Sequence, residues 1–259
     1  MRANKLRQAL SADQPTMCAR INTVWPDIVE LIGLTGVYDY VEFAAEYGPF
    51  TLVDLDNFCR AAELYDMSTM IKVDQAPKLY QAQRAIGAGF QSVLFVDCRT
   101  VEDVQACVSV VRPDTPEDGG LYGAAARRFA YDMKSRDEFS QALRDVVVAI
   151  MVEKKALVDR LDEILAVPGV DMVQWGPSDY GMSSGLTGQT DKIKAVERMV
   201  IEKSLAAGVP PRIELMNMDN IEYYLDLGVR HFRMGTDMAI LSQFWKSQGD
   251  ALRERLAKI

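Results

Sequence analysis

Two acidic residues stand at the ends of strongly apolar runs. Glu153 follows Val146-Val-Val-Ala-Ile-Met-Val152, and Asp179 follows Val170–Trp175 and the turn Gly176-Pro177-Ser178, 26 residues further on. Carboxylates that meet at the ends of neighbouring strands repel each other unless a proton or a cation lies between them. The chain has a single histidine, His231, so an ion taken by this pair would be a hard one, Mg2+ or Mn2+. Water and substrate oxygens would complete its octahedron, and zinc is disfavoured. Each acid also has a plainer use, because carboxylates at helix N-termini are favoured by the helix dipole. Glu153 precedes the helical stretch Lys154–Leu165, and Asp179 heads a loop. The glycine-started turn leaves backbone N–H groups free for an anion. A metal beside such a cradle suits a 2-keto acid, whose carboxylate and keto oxygens can chelate.

These residues need elements to bring them together. Short β-branched or apolar runs alternate with longer amphipathic stretches, which is the pattern of alternating strands and helices. Eight strands are expected: Thr16–Asn22, Tyr38–Ala44, Ser68–Val73, Ser92–Asp97, Val146–Val152, Met172–Trp175, Arg212–Leu215 and His231–Met234. Helices are expected at Leu52–Tyr65, Lys78–Ala88, Val101–Val110, Lys155–Ala166, Lys192–Ala207, Asp219–Leu227 and from Met238 to about Ala257. The run Val146–Val152 is apolar on both faces, as in a parallel strand covered inside and outside. Eight such units close into a (β/α)8 TIM barrel of this length. Residues 1–259 therefore read as one domain. The segment 112–132, with Pro113-Asp-Thr-Pro-Glu-Asp-Gly-Gly120, is too long for a simple connection and reads as a lid or a subunit contact.

The 29 basic and 37 acidic residues give a net charge of −8. The positive charges are scattered along the chain, which argues against a nucleic-acid partner. No apolar stretch approaches the ~20 residues of a membrane span, and Met1–Ser11 reads as a polar helix rather than a signal peptide. The expectation is a cytoplasmic protein without membrane contact. The four cysteines, Cys18, Cys59, Cys98 and Cys107, lack zinc or disulfide spacing and read as reduced fillers of the core. His231 lies where the eighth strand starts, at the barrel end that serves stability, so a Ser-His-Asp triad is not expected.

In such a barrel the reactive groups come from the C-terminal ends of strands. Those that pass this positional test are Glu42, Glu46 and Tyr47 after strand two, Lys72 and Asp74 at strand three, and Asp97 and Arg99 after strand four. Glu153, Gly176–Asp179 and Glu214 follow from strands five, six and seven. The strand ending in Glu153, followed 26 residues later by Gly176-Pro-Ser-Asp179, resembles the metal-dependent 2-keto acid aldolases of the HpcH/HpaI type. The resemblance covers about Thr16 to Leu241. It implies a barrel of the phosphoenolpyruvate/pyruvate-domain kind whose last helix packs on a neighbouring subunit in a hexamer. It further implies Glu153 and Asp179 as ligands of Mg2+ or Mn2+, and amides near Gly176, Pro177 and Ser178 as the holder of the pyruvate carboxylate. The catalytic apparatus departs from the family pattern. The family carries a histidine after strand two and an arginine at the end of strand three, where this chain has Glu46-Tyr47 and Lys72. A phenol is a poor base at neutral pH but can donate a hydrogen bond or act as an acid. Lysine keeps the positive charge and loses the guanidinium fork.

The resulting expectation is a carbon–carbon lyase of the aldolase type, acting on a 2-keto acid and an aldehyde through a metal-stabilised enolate. Lys72 would contribute electrostatically, and Glu46 or Tyr47 would handle a proton. A related keto-acid decarboxylase or acyl lyase is an alternative. So is a Schiff-base aldolase using Lys72, against which stands an ion pair of Lys72 with Glu42, Glu46 or Asp74. The remaining alternative is a homologue that binds a keto acid without turning it over.

Overall fold

Eight β-strands hydrogen-bond side by side, all parallel and in sequence order, and the first pairs with the last to close the sheet. The computed structural model describes residues 2–125, 127–133 and 135–259. The strands are β1 (Thr16–Ile21), β2 (Tyr40–Ala44), β3 (Ser68–Lys72), β4 (Ser92–Phe95), β5 (Val147–Val152), β6 (Met172–Trp175), β7 (Pro211–Leu215) and β8 (His231–Thr236). The helices are α1 (Lys5–Ser11), α2 (Pro26–Leu34), α3 (Leu52–Leu64), α4 (Lys78–Ala88), α5 (Val101–Ser109), α6 (Arg136–Arg144), α7 (Lys155–Val158), α8 (Leu161–Leu165), α9 (Pro177–Ser184), α10 (Thr190–Ala206), α11 (Ile221–Asp226) and α12 (Asp237–Leu256). This is the (β/α)8 barrel expected from the alternating pattern. Every residue of β5 is buried, as its two-sided apolar run requires.

Local chemistry sets several boundaries. Thr51 and Thr100 start α3 and α5 with reciprocal capping boxes to Asp54 and Asp103. Gly89 ends α4 at φ +119°, a conformation that needs no β-carbon, and turns the chain into β4. Two expectations are corrected. The helical stretch 155–166 breaks at Asp159–Arg160 into α7 and α8, and Asp179 lies in the first turn of α9 rather than in a loop. Pro177 at the first helical position explains the second case, because proline is well suited there.

The barrel interior is layered by polarity. At the N-terminal end, α1 acts as a plug, with Leu6 fully buried among Cys18, Tyr40, Met70, Leu94, Val147 and Met172. Arg7 clamps Asp171 with two bonds of 2.6 and 2.7 Å. Above this layer the interior turns charged. Arg212 is fully buried, paired with Glu42, and donates to Gln174 Oε1 at 2.7 Å through Nε. Arg233, also fully buried, pairs with Glu214. All four cysteines are free and buried.

The described residues of segment 112–132 pack at the N-terminal end of the barrel. Arg112 donates to the Val146 carbonyl at 2.7 Å and Arg128 to the Ala88 carbonyl at 2.7 Å, while Tyr122 and Phe129 stack near Phe139. Within its own chain the segment thus lies away from the strand ends that carry the candidate residues. The last helix, α12, buries only Asp237 and leaves Met238, Ile240, Phe244, Trp245 and Leu252 exposed. Among the described residues no helix is long and apolar enough to cross a membrane.

The buried Glu42–Arg212 pair carries a stability prediction. Burial would raise the Glu42 carboxyl, but the guanidinium groups of Arg212, Arg233 and Arg20 outweigh it and hold it down to about 2. This lies below the ~4.3 of an unfolded chain, so the stabilisation is present above pH ~4.3 and is lost as pH falls towards 2. Glu42→Ala should cost about 3–5 kcal/mol in urea denaturation at pH 7 by leaving Arg212 buried and unpaired. The gap from the parent protein should shrink below pH ~4, and a gap that stays constant through that range would contradict this account.

Candidate active site

The C-terminal mouth of the barrel opens on a cavity of about 360 Å³ lined by Arg20, Tyr47, Lys72, Trp175, Gly176, Ser178 and Asp179, with Met151, Ile213 and Met216 as apolar wall. Lys72 is the last residue of β3 and is buried. Its ammonium donates to Glu46 Oε2 at 2.5 Å and to the Tyr47 hydroxyl at 2.7 Å, and lies 4.5 Å from the centre of the Tyr47 ring. Burial works against the ammonium, but the bonds to Glu46 and Tyr47 outweigh it and hold Lys72 above its ordinary pKa. Lys72, Glu46 and Tyr47, separately expected from strand ends, thus form one cluster. Tyr47 is half exposed to the cavity, with the Arg20 guanidinium 4.7 Å from its ring centre.

Asp179, in the first turn of α9, lines the cavity, and Glu153, the residue after β5, is buried behind Gly176. Glu153 is 2% exposed, and its Oε1 accepts the backbone N–H of Asp97 at 2.8 Å. Among the described residues no cationic side chain lies within ion-pair distance of it. Burial, reinforced by the nearby Asp179 charge, pushes its carboxyl up to about 7 despite the Asp97 amide and the more distant Lys72 and Lys154. A buried carboxylate without a paired cation is electrostatically suited to one. Gly176, the N-cap of α9, lies directly against it: a β-carbon there would fall 2.7 Å from Glu153 Cβ and 3.1 Å from its Oε2. This cradle accounts for the glycine by space.

Asp179 is half exposed, and its Oδ1 accepts from Lys154 Nζ at 2.7 Å. The same ammonium contacts Asp97 Oδ1 at 2.7 Å. Burial alone would lower Lys154, but these two bonds raise it. Asp97 itself adopts a left-handed backbone at φ +53°. That conformation is uncommon for a residue with a side chain, though aspartate tolerates it better than most, and it turns the Asp97 N–H towards Glu153. Among the described residues no group of three or more histidine, cysteine or acidic side chains surrounds a common point. Two carboxylates are hard oxygen donors, and an ion held by them would take the rest of its shell from water and substrate oxygens. The first turn of α9 adds amides at Ser178 and Asp179 that have no carbonyl partner within the helix.

Of the other residues singled out by position, Glu214 also lines the cavity, and the rest lie outside its lining. Asp74 is tied to Gln81 by reciprocal bonds of 2.8 and 2.6 Å. Glu42 belongs to the barrel interior, and Glu214 pairs with Arg233 and lies 3.9 Å from Arg20. Arg99 is largely exposed, 3.7 Å from Asp97. His231 bonds Thr16 Oγ1 at 2.9 Å at the start of β8, and burial pushes it down to about 4, so it is neutral at physiological pH and remote from the mouth. Sequence reasoning overlooked Arg20 and Lys154. Arg20 shares the inward parity of Cys18 on β1, a signal that was available. Lys154, the neighbour of Glu153, reads as a surface residue of a helix start.

The family model for HpcH/HpaI aldolase/citrate lyase matches residues 21–243. The chain is 28% identical over 241 residues to a 4-hydroxy-2-oxovalerate aldolase of Novosphingobium aromaticivorans, covering 90% of this chain and 88% of that one. It is 27% identical over 228 residues to 2-keto-3-deoxy-L-rhamnonate aldolase of Escherichia coli K12, covering 87% and 82%. Its fold superposes with a TM-score of 0.88 on an HpcH/HpaI aldolase/citrate lyase family protein of Burkholderia cenocepacia J2315, at 26% identity over 97% of this chain and 100% of the other.

The contact between Gly176 and Glu153 is directly testable. Gly176→Ala should displace the Glu153 carboxylate and weaken Mn2+ binding by about tenfold or more in titration calorimetry. An unchanged affinity would show that Glu153 needs no such cradle.

Proposed function

The chain belongs to the HpcH/HpaI aldolase/citrate lyase family, and from that premise we propose that it is a divalent-metal-dependent carbon–carbon lyase. It breaks or forms the bond beside a 2-keto acid through an enolate, with an aldehyde as the second reactant. The observation that carries this reading is the convergence of Lys72, Tyr47 and Asp179 on one cavity, beside a buried Glu153 that lacks a paired cation. The activities named for the relatives are of this class.

Glu153 and Asp179 would hold the ion, and Mg2+ or Mn2+ bound there supplies Lewis-acid stabilisation of developing enolate charge. The protein supplies the rest. The Ser178 and Asp179 amides at the start of α9 bind the substrate carboxylate, helped by the positive end of the helix dipole. Lys72, kept charged by Glu46, adds positive potential where the keto oxygen gains charge. The Tyr47 hydroxyl accepts from Lys72, and its O–H is free to donate towards the aldehyde oxygen when the bond forms, the same proton passing back from the substrate hydroxyl when it breaks. The ammonium lies beside the phenol oxygen in either direction. Glu46 is engaged by Lys72 and acts chiefly by fixing it. Met151, Ile213 and Met216 limit water at the reacting carbon.

A Schiff-base route is less well supported, because an imine needs a neutral amine and Lys72 is held charged by two partners. The exposed apolar side chains of α12 support a homo-oligomer, a hexamer by family resemblance, in which α12 packs on a neighbour. Segment 112–132 would serve as a subunit contact in that assembly. Four free, buried cysteines suit a reducing compartment, and we place the chain in the cytoplasm.

Retro-aldol cleavage of 4-hydroxy-2-keto acids should be lost on exhaustive chelation and return with Mg2+ or Mn2+. Activity that survives chelation sinks the proposal. Lys72→Ala should lower kcat by about 10²–10³, while Lys72→Arg recovers part of the loss. Borohydride treatment with pyruvate should leave the mass of the protein unchanged, and a reduced adduct on Lys72 would reinstate the imine route.

A further inference from the structure

Lys154 has an unusual position for a lysine. It follows Glu153 directly, is 7% exposed, and starts α7 without capping it. Its side chain turns from the helix start into the gap between two loops, where its ammonium is shared at 2.7 Å each between Asp97 Oδ1 on the β4 side and Asp179 Oδ1 on the β6 side. Asp97 in turn holds Glu153 through its backbone N–H. One cation therefore already neutralises the exposed member of the carboxylate pair, and it is tethered to the residue next to the buried member.

We infer that Lys154 is a built-in counter-cation of the metal site, and that a divalent ion reaches Glu153 and Asp179 together only by displacing the Lys154 ammonium from Asp179. The inference rests on the reading of Glu153 and Asp179 as the metal ligands. Ion loading is then an exchange of cations rather than a simple addition. Without the ion, Lys154 keeps Asp179 from facing Glu153 uncompensated, since carboxylates in such proximity repel. With the ion, Asp97 gives the displaced ammonium a place to remain paired, so the exchange breaks one ion pair rather than two. The affinity of the site for its metal is thereby set lower than the two carboxylates alone would give, and Lys154 is the residue that sets it. Asp97 acts as a positioning residue at both ends, through its amide to Glu153 and through its carboxylate to Lys154.

The test uses the full-length protein and Mn2+ alone, read by titration calorimetry and by the electron-spin signal of free Mn2+. Lys154→Met should bind Mn2+ about tenfold tighter or more than the parent, whereas Lys154→Arg, which keeps the charge, should not. In crystals of the parent soaked in Mn2+, the Lys154 ammonium should have left Asp179 and kept Asp97. Equal affinity of parent and Lys154→Met, or an ammonium still bonded to Asp179 beside the bound ion, overturns the inference while leaving the ligand assignment intact. Absence of Mn2+ binding in both the parent and Lys154→Met overturns the ligand assignment and the inference with it. If Lys154→Met does not fold, the soaked parent crystal decides the question alone.

Discussion

Charge placed inside a closed barrel has to be compensated there, because the surrounding apolar layers exclude the water that would otherwise solvate it. This constraint organises the interior from its middle to its mouth. Glu42 faces Arg212, and Glu214 faces Arg233 with Arg20 nearby. At the mouth Glu46 faces Lys72, and Asp97 and Asp179 share Lys154. Glu153 is the exception. Among the described residues its hydrogen-bond donor is the amide of Asp97, and burial with no ion pair to offset it holds its carboxyl above the ordinary range. The place where the compensation runs short is the place where a dication would complete it.

The apolar plug and the charged layer have separate mechanical roles in this arrangement. Leu6 and its neighbours close the N-terminal end, so the cavity opens only at the strand ends that carry Lys72 and Glu153. Arg212 and Arg233 fill the interior beneath the cavity with planar guanidinium groups. Gln174 and Tyr40 brace the first, and the second pairs with Glu214 and donates to the Gly235 carbonyl. Charged side chains thus separate the apolar plug from the cavity.

Much of the fold was legible in the sequence because its signals are local. Two-sided apolar runs mark β5, threonine caps mark α3 and α5, and glycine marks the end of α4. That Glu153 and Asp179 follow neighbouring strands was legible for the same reason, since each follows an apolar run and β5 and β6 are hydrogen-bonded side by side. Strand ends shifted by one or two residues, because a hydrophobic run continues into the turn where ladder bonds stop. The buried arginines were not legible. Nothing in the period of β7 or β8 distinguishes a guanidinium facing a carboxylate across the barrel from one facing water. The partners are 170 residues apart in the case of Arg212 and Glu42. Lys154 escaped notice for a related reason: its two acids come from different loops, and a lysine at a helix start is ordinarily solvated.

Tyr47 and Lys72, the two positions at which the sequence resemblance leads one to expect a histidine and an arginine, are in direct contact. One bond of 2.7 Å joins them, and Glu46 anchors the lysine at 2.5 Å. The ammonium sits beside the phenol hydroxyl and bonds it as a single point charge, without the planar fork of a guanidinium. Substituting either residue alone would leave the other without the partner that defines its orientation. Arg20 of β1 lines the same mouth, with its guanidinium 4.7 Å from the centre of the same phenol ring, so Tyr47 has a cationic side chain beside it from each of β1 and β3.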